Sequence, residues 1–422
     1  MIRFAIVQNK IVRAIIRREL KLNLRELNAK RKFFYPLAEP TYGEREVFSA
    51  LNSMTSYSTT MWDKVKEFEK IFGDKYGGEA IMVNSGSSAD LLISFGISEK
   101  SGGSLPLGSE ILVPSVTWPT HLWSLIMAGF KVKLIDIDPN TLNFDLEHIE
   151  RNISKDTRGI FVVHLLGNMG DMRGLTKLCK EKNLVLMEDC CESLGSKFDG
   201  EYAGTFGIAS SFSFFFSHHL VTMEGGMILT KDKDFARRCR LLRAHGWDRE
   251  VSDSAVSADL DIDSRYKFVA WGFNLRPTEL QAGFGIEQIK KIDQFQEFRD
   301  QNAAELEECI NRNSKFLSTM QISNDVKCSW FAFPIIVNDK APFSRKQLAN
   351  FLDQNGIESR PVVAGNLAKQ PATKQFPEIT FGALPGANYT HQQGLYIGIH
   401  PTTNRNNLKK VVQLLNNYCD QW

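Results

Sequence analysis

The run Ser217 to Gly226, SHHLVTMEGG, places two of the chain's eight histidines side by side after the strand-like run ASSFSFFF. An imidazole titrates near neutral pH, so a histidine at a strand end is a candidate general acid or base. Isolated histidines are more often structural, so His218 and His219 argue for chemistry only with suitable neighbours. Three other stretches offer them. NSGSSAD, Asn84 to Asp90, sets small residues before a helical stretch, where backbone N–H groups around Gly86 and Ser87 can approach a phosphate. Ser-rich helix starts also serve as plain caps. SVTWPT puts Trp118 just past a strand, able to stack on a flat ring or to fill core. MEDCCES puts Asp189 after the apolar run LVLM, where a carboxylate can hold a protonated ring nitrogen or cap a helix. Ser213, five residues before His218, offers a hydroxyl to the same phosphate, and Gly225 and Gly226 permit a tight turn into GMILT.

Four pieces so far apart in sequence need a scaffold that gathers them. Apolar runs at AIMV, EILVPSV, VKLIDI, GIFVVHLL, LVLMED, ASSFSFFF and GMILT alternate with helical stretches such as HLWSLIMAGF and MRGLTKLCKEK. That alternation predicts an α/β domain with a mostly parallel sheet between helical layers, its ligands at strand ends. Strands with consecutive apolar residues suit a sheet covered on both faces. From Gly285, the spacing of Ile286, Ile289, Ile292 and Phe295 marks one face of a long helix. It leads into a smaller α+β unit that opens with SWFAFPIIV and ends in LKKVVQLLNNY. The expected division is a helical arm over 1–35, a large domain over 36–284, and a connecting helix with a small domain over 285–422. The polar segment from Arg249 to Arg265 reads as a mobile loop.

Composition excludes several classes. A chain of 422 residues with 43% hydrophobic and 24% charged residues is ordinary for a globular protein of two domains. No apolar run reaches the roughly 18 residues of a membrane span. The seven cysteines show neither disulfide-like nor zinc-like spacing and read as reduced thiols of a cytoplasmic protein, with no metal site. Net charge is +2, but residues 1–33 hold ten Lys/Arg against two Glu, so the arm carries +8 and the remainder −6. Apolar residues at helical spacing, Ile11, Ile15, Leu22 and Leu27 among them, make the arm a basic amphipathic helix. A basic amphipathic helix can touch membranes or nucleic acid, but it reads first as a dimer-packing arm or a solvated helix; its interrupting arginines argue against a secretory signal. No basic patch with interleaved aromatics follows, which disfavours nucleic acid.

Taken in order, NSGSSAD, VTW, VHLLGNMGDM, MEDCCESLGSKFDGEYAGTFG, SFSFFFSHHLVTMEGG and GFNLRPTELQA resemble the sugar aminotransferase (DegT/DnrJ/EryC/StrS) family of fold-type I pyridoxal phosphate enzymes, over roughly residues 36 to 420. The resemblance implies an aspartate-aminotransferase-like fold. It also implies a homodimer with active sites at the subunit interface. One departure carries the message. The family's cofactor-linking lysine lies six residues before the acid of the Glu-Gly-Gly turn, and here that position is His218, with no lysine between Phe198 and Lys231. An imidazole cannot make the stable covalent link that a primary amine makes with the cofactor aldehyde, but it can move protons.

A histidine in that place is similar to the sugar 3-dehydratase branch of the family. One kind needs cysteines for a [2Fe-2S] centre, between RAHGW and GFNLRP, where this chain has none. The other kind has no iron–sulfur cluster and uses L-glutamate; SHHLVTMEGG, RAHGWDR, YKFVAWGFNLRPTELQAGFGIEQIKK and GIESRPVVAGN resemble it. The resemblance implies noncovalent pyridoxal 5'-phosphate or pyridoxamine 5'-phosphate. The substrate implied is a nucleotide-linked 4-keto-6-deoxy sugar, GDP-linked by resemblance, with CDP and dTDP left open. It assigns the phosphate to Gly86, Ser87 and Ser213, with Asn274 of the partner subunit reaching over. Trp118 would cover the ring, Asp189 hold its nitrogen and Glu192 line the pocket. His218 becomes the acid/base, His219 a structural support, and His245 and Arg249 candidates for the glutamate carboxylates, since Arg suits bidentate carboxylate recognition. An ordinary sugar aminotransferase, the iron–sulfur enzyme and a cofactor-bound sensor are the alternatives.

Overall fold

The computed structural model describes residues 2–248 and 263–422, the side chains of residues 2–8 and 264 excepted. Eight strands form the large sheet in the order Glu79–Val83, Gly226–Thr230, Ala209–Ser213, Val185–Asp189, Thr157–Val163, Glu110–Pro114, Lys131–Ile135 and Ile379–Phe381. Neighbours pair in parallel except at Gly226–Thr230, which runs antiparallel to both sides. Each apolar run of the sequence supplies one of these strands, and the eighth comes from beyond residue 285.

Helices cover both faces, which is why the strands can be apolar on both sides. Phe212 and Phe214, pointing to one face, pack with Phe68, Phe72 and Tyr76 of the helix Asp63–Tyr76 at ring separations of 5.1 to 6.3 Å. Burying rings of this size contributes about 2–3 kcal/mol each. Helices Gly86–Ile97, Thr120–Met127 and Lys233–Arg243 pack around the opposite face. The stripe starting at Ile286 continues through Glu279–Gln288, a 3-10 turn and Ile292–Arg312, with Ile286, Ile289, Ile292 and Phe295 all buried.

A second, antiparallel sheet takes Leu317–Ser318, Phe333–Val337, Gly394–Ile397 and Ser359–Pro361, and the helix Arg405–Cys419 packs on Ile292–Arg312. The arm forms the helix Ile2–Lys30, with Ile11, Ile15, Leu22 and Leu27 exposed. No helix among the described residues is long and apolar enough to cross a membrane. The segment expected to be mobile, 249–265, lies outside the described residues for all but its last three positions.

Candidate active site

Close packing builds one end of the site. Ser85 caps the helix Gly86–Ile97, its Oγ accepting from Ser88 N at 3.1 Å, and the first intrahelical bond is Ala89 N to Ser85 O at 3.2 Å. The Gly86 and Ser87 amides precede that bond, at the positive end of the helix dipole, where an anion is stabilised. A Cβ on Gly86 would lie 2.6 Å from Ser213 Cβ, so only glycine lets this turn meet the end of the Ala209–Ser213 strand. Gly226 matters for the same reason. A Cβ there would lie 2.3 Å from Ser85 O and 2.7 Å from Gly86 N. The Glu-Gly-Gly signature therefore serves close approach of the phosphate turn as well as the bend into the next strand.

The other end is a buried charge cluster. Asp189 ends the Val185–Asp189 strand; its Oδ2 lies 2.6 Å from His121 Nε2, and its Oδ1 accepts from Cys191 N at 2.6 Å. His121 Nδ1 meets Trp118 O at 3.0 Å and Thr117 Oγ1 at 2.8 Å, so one imidazole ties Trp118 to Asp189. Asp90 stands behind, 3.8 Å from His121 Nε2. Burial alone would lower His121, but the two carboxylates and its hydrogen bonds raise it to about 9. Burial pushes Asp90 up to about 7, opposed by His121. Burial also acts upward on Asp189, but the imidazolium and the Cys191 amide hold it below the usual carboxylate range. The cluster thus presents one ionised carboxylate at a strand end, the group a protonated ring nitrogen needs. Trp118 is 58% exposed beside it, free to cover a flat ligand.

His218 follows the Ala209–Ser213 strand, its ring 6.0 Å from Phe215 and 5.1 Å from Phe331. Its Nδ1 is buried without a partner among the described residues. Burial lowers His218 to about 4, with Asp189 pulling upward and Arg299 downward. The ring is therefore neutral at physiological pH and ready to accept a proton. His219 is buried, its Nε2 3.1 Å from Ser329 O. Glu192 accepts from Leu166 N at 2.9 Å, and burial raises it to about 7. An anion cradle, an ionised carboxylate and an unpartnered imidazole nitrogen fit a pyridoxal phosphate-type cofactor held without a covalent bond.

The remaining candidates lie apart. His245 and Asn274 are exposed on adjoining segments, bridged by the Ala244–Asn274 pair, and Asn274 Oδ1 accepts from Arg276 Nε at 2.9 Å. Leu275 O accepts from Asn84 N at 3.2 Å, which sets this segment against the phosphate turn of its own chain. Arg249 lies outside the described residues. Sequence reasoning assigned no role to His121 or Asp90. His121 had one signal, its position three residues after Trp118 at a helix start; Asp90 looked like an ordinary helical residue.

Residues 40–416 match the model of the DegT/DnrJ/EryC1/StrS aminotransferase family, and the chain belongs to that family. Within it, the chain is similar to the GDP-4-keto-6-deoxy-D-mannose 3-dehydratase of Yersinia pseudotuberculosis, 35% identical over 387 residues, 90% of this chain and 98% of that protein. Among solved structures it is similar to an E. coli GDP-4-keto-6-deoxy-D-mannose-3-dehydratase with bound hydrated PLP. The TM-score there is 0.86 at 35% identity, over 91% of this chain and 99% of the other. A GDP-4-keto-6-deoxymannose-3-dehydratase with a trapped PLP-glutamate geminal diamine matches with the same score and identity, over 90% and 100%.

Proposed function

We propose that the protein is a pyridoxal phosphate- and glutamate-dependent 3-dehydratase of a nucleotide-linked 4-keto-6-deoxy sugar, GDP-4-keto-6-deoxy-D-mannose. It would act in cytoplasmic dideoxysugar biosynthesis of the colitose, O-antigen type. The observation that carries the reading is His218, a neutral imidazole with a free nitrogen at the position where the family's aminotransferases carry lysine. The balanced change is substrate plus glutamate to the 4-keto-3,6-dideoxy sugar, 2-oxoglutarate and ammonia, with glutamate supplying the two electrons.

When bound, the cofactor supplies the amino carrier and the electron sink that make loss of the carbon 3 hydroxyl feasible. The chain's own residues bind and move protons. Gly86, Ser87 and Ser213 hold the phosphate, Asp189 keeps the ring nitrogen protonated, Trp118 covers the ring and Glu192 closes the pocket wall. His218 accepts a proton and returns it to the oxygen leaving carbon 3. His219 holds the segment through Ser329. Asn274 of the partner subunit completes the phosphate site, and His245 and Arg249 take the glutamate carboxylates, in a homodimer.

Incubation with GDP-4-keto-6-deoxy-D-mannose and glutamate tests this. Mass spectrometry should find a sugar nucleotide lighter by one oxygen, with 2-oxoglutarate released. An amino sugar would make the chain an aminotransferase, and no turnover across GDP, CDP and dTDP sugars would favour a sensor.

A further inference from the structure

Arg299, on the helix Ile292–Arg312, is 1% exposed. Its Nη1 donates to Trp330 O at 2.7 Å and Phe331 O at 3.0 Å, and its Nε has no partner among the described residues. Among the described residues no carboxylate forms an ion pair with it. A buried cation without a counter-ion is costly, so its position calls for a reason. The two carbonyls it holds belong to the segment Ser329–Phe331, whose other side is the histidine pair. Ser329 O receives His219 Nε2 at 3.1 Å, and the Phe331 ring lies 5.1 Å from the His218 ring and 5.8 Å from that of His219. Trp330 between them takes a left-handed φ of 51°, a conformation non-glycine residues rarely adopt and the carbonyl contacts help to hold.

We infer that Arg299 is a positioning residue for His218: it clamps the Ser329–Phe331 segment against the histidine pair and presents it with a fixed positive charge from behind. This rests on His218 being the proton carrier of the proposed dehydration. The charges that face His218 are few. Among the described residues, Asp189 acts from the sheet side and Arg299 from the helix side, while the adjacent His219, held well below its ordinary value by burial, is a neutral neighbour. Cys328, at the start of the clamped segment, is kept a neutral thiol by burial. Burial and Arg299 favour the neutral imidazole, and Asp189 opposes them. His219 and His400 feel the same cation, each lying well below its ordinary value, chiefly through burial. Arg299 itself is lowered by burial to about 10, so it stays charged wherever the enzyme would work.

The test is an NMR titration of isotope-labelled histidine in the full chain, comparing wild type, Arg299→Gln and Arg299→Lys, with the pH dependence of kcat/KM alongside. Removing the charge should raise the His218 protonation midpoint by roughly one pH unit and carry the acid limb of kcat/KM upward with it. Arg299→Lys keeps the charge but loses the planar fork, so the midpoint should stay low while kcat falls at least fivefold at unchanged KM for glutamate. An unmoved midpoint in folded Arg299→Gln overturns the inference. If that variant does not fold, wild-type kcat in Arg299→Lys overturns it instead. A raised midpoint in a chain without dehydratase activity would sink the proposed reaction alone, and an active dehydratase with an unmoved midpoint would sink this inference alone.

Discussion

His218 and His121 are both within the reach of Asp189, yet their surroundings drive them to opposite charge states. His121 is wedged between two carboxylates and is held charged; His218 faces a buried arginine across aromatic walls and is held neutral. Each predicts a different variant. His218→Lys restores a primary amine, so the purified protein should carry cofactor that stays attached through denaturation after borohydride reduction. Its dehydratase rate should fall about a hundredfold or more, the scale of a lost acid/base. Full activity without attachment would refute the role given to the imidazole. For His121 the sign follows from a folded-state value of about 9 against an unfolded one near 6.5. The stabilisation is complete below the unfolded value and is lost as pH rises through about 9. Thermal melting of the wild type should therefore decline between pH 7 and 10 more steeply than that of His121→Gln, and parallel curves would contradict the charged pair.

At the scale of elements, the helix Asp63–Tyr76 is anchored from a distance. Glu279, at the first position of the helix Glu279–Gln288, accepts from the Trp62, Lys64 and Val65 amides at 2.7, 2.8 and 3.0 Å. Those donors have no other partner at a helix start, and Trp62 lacks the side-chain oxygen of an ordinary cap. Glu279→Gln should cost about 1–3 kcal/mol in denaturant unfolding, because one amide group cannot replace a carboxylate as acceptor for three N–H groups. A change below about 0.3 kcal/mol would show that the contacts are dispensable. No local pattern announces this cap, since donors and acceptor lie more than 200 residues apart. The strands were legible for the opposite reason. A strand buried on both faces must be apolar throughout, so AIMV, GIFVV and GMILT declare themselves, and Met172–Lys182 shows as an amphipathic period. The site was legible where chemistry demands a residue type at a fixed offset, as with Asp189, His218 and Gly226. It was hidden where a role depends on what lies across the fold, as with His121, Asp90 and Arg299.

At the scale of the molecule, charge and packing separate the arm from the body. The arm's excess of ten basic residues over two acidic ones faces a remainder of net −6, so attraction between them is built into the composition. Its contacts are modest. Arg13 and Arg17 reach Glu44 at 3.3 and 2.8 Å, the arm touches the helix Glu44–Thr55, and its Ile16 and Leu20 are half-buried. Exposed ion pairs contribute about 0–1 kcal/mol each, and side chains left half in water contribute a fraction of their full burial. Removing residues 1–30 should therefore lower body stability by no more than about 2 kcal/mol, because the sheet and both its helical layers lie wholly outside the arm. The same reasoning fixes the salt response. Hydrogen exchange in the arm should quicken as ionic strength rises from about 0.05 to 0.5 M, where screening shortens to a few ångströms, while the strand Glu79–Val83 keeps its protection. Loss of the body's cooperative unfolding on truncation would show instead that the arm is part of the core, and salt-independent exchange would assign its attachment to apolar contact rather than charge.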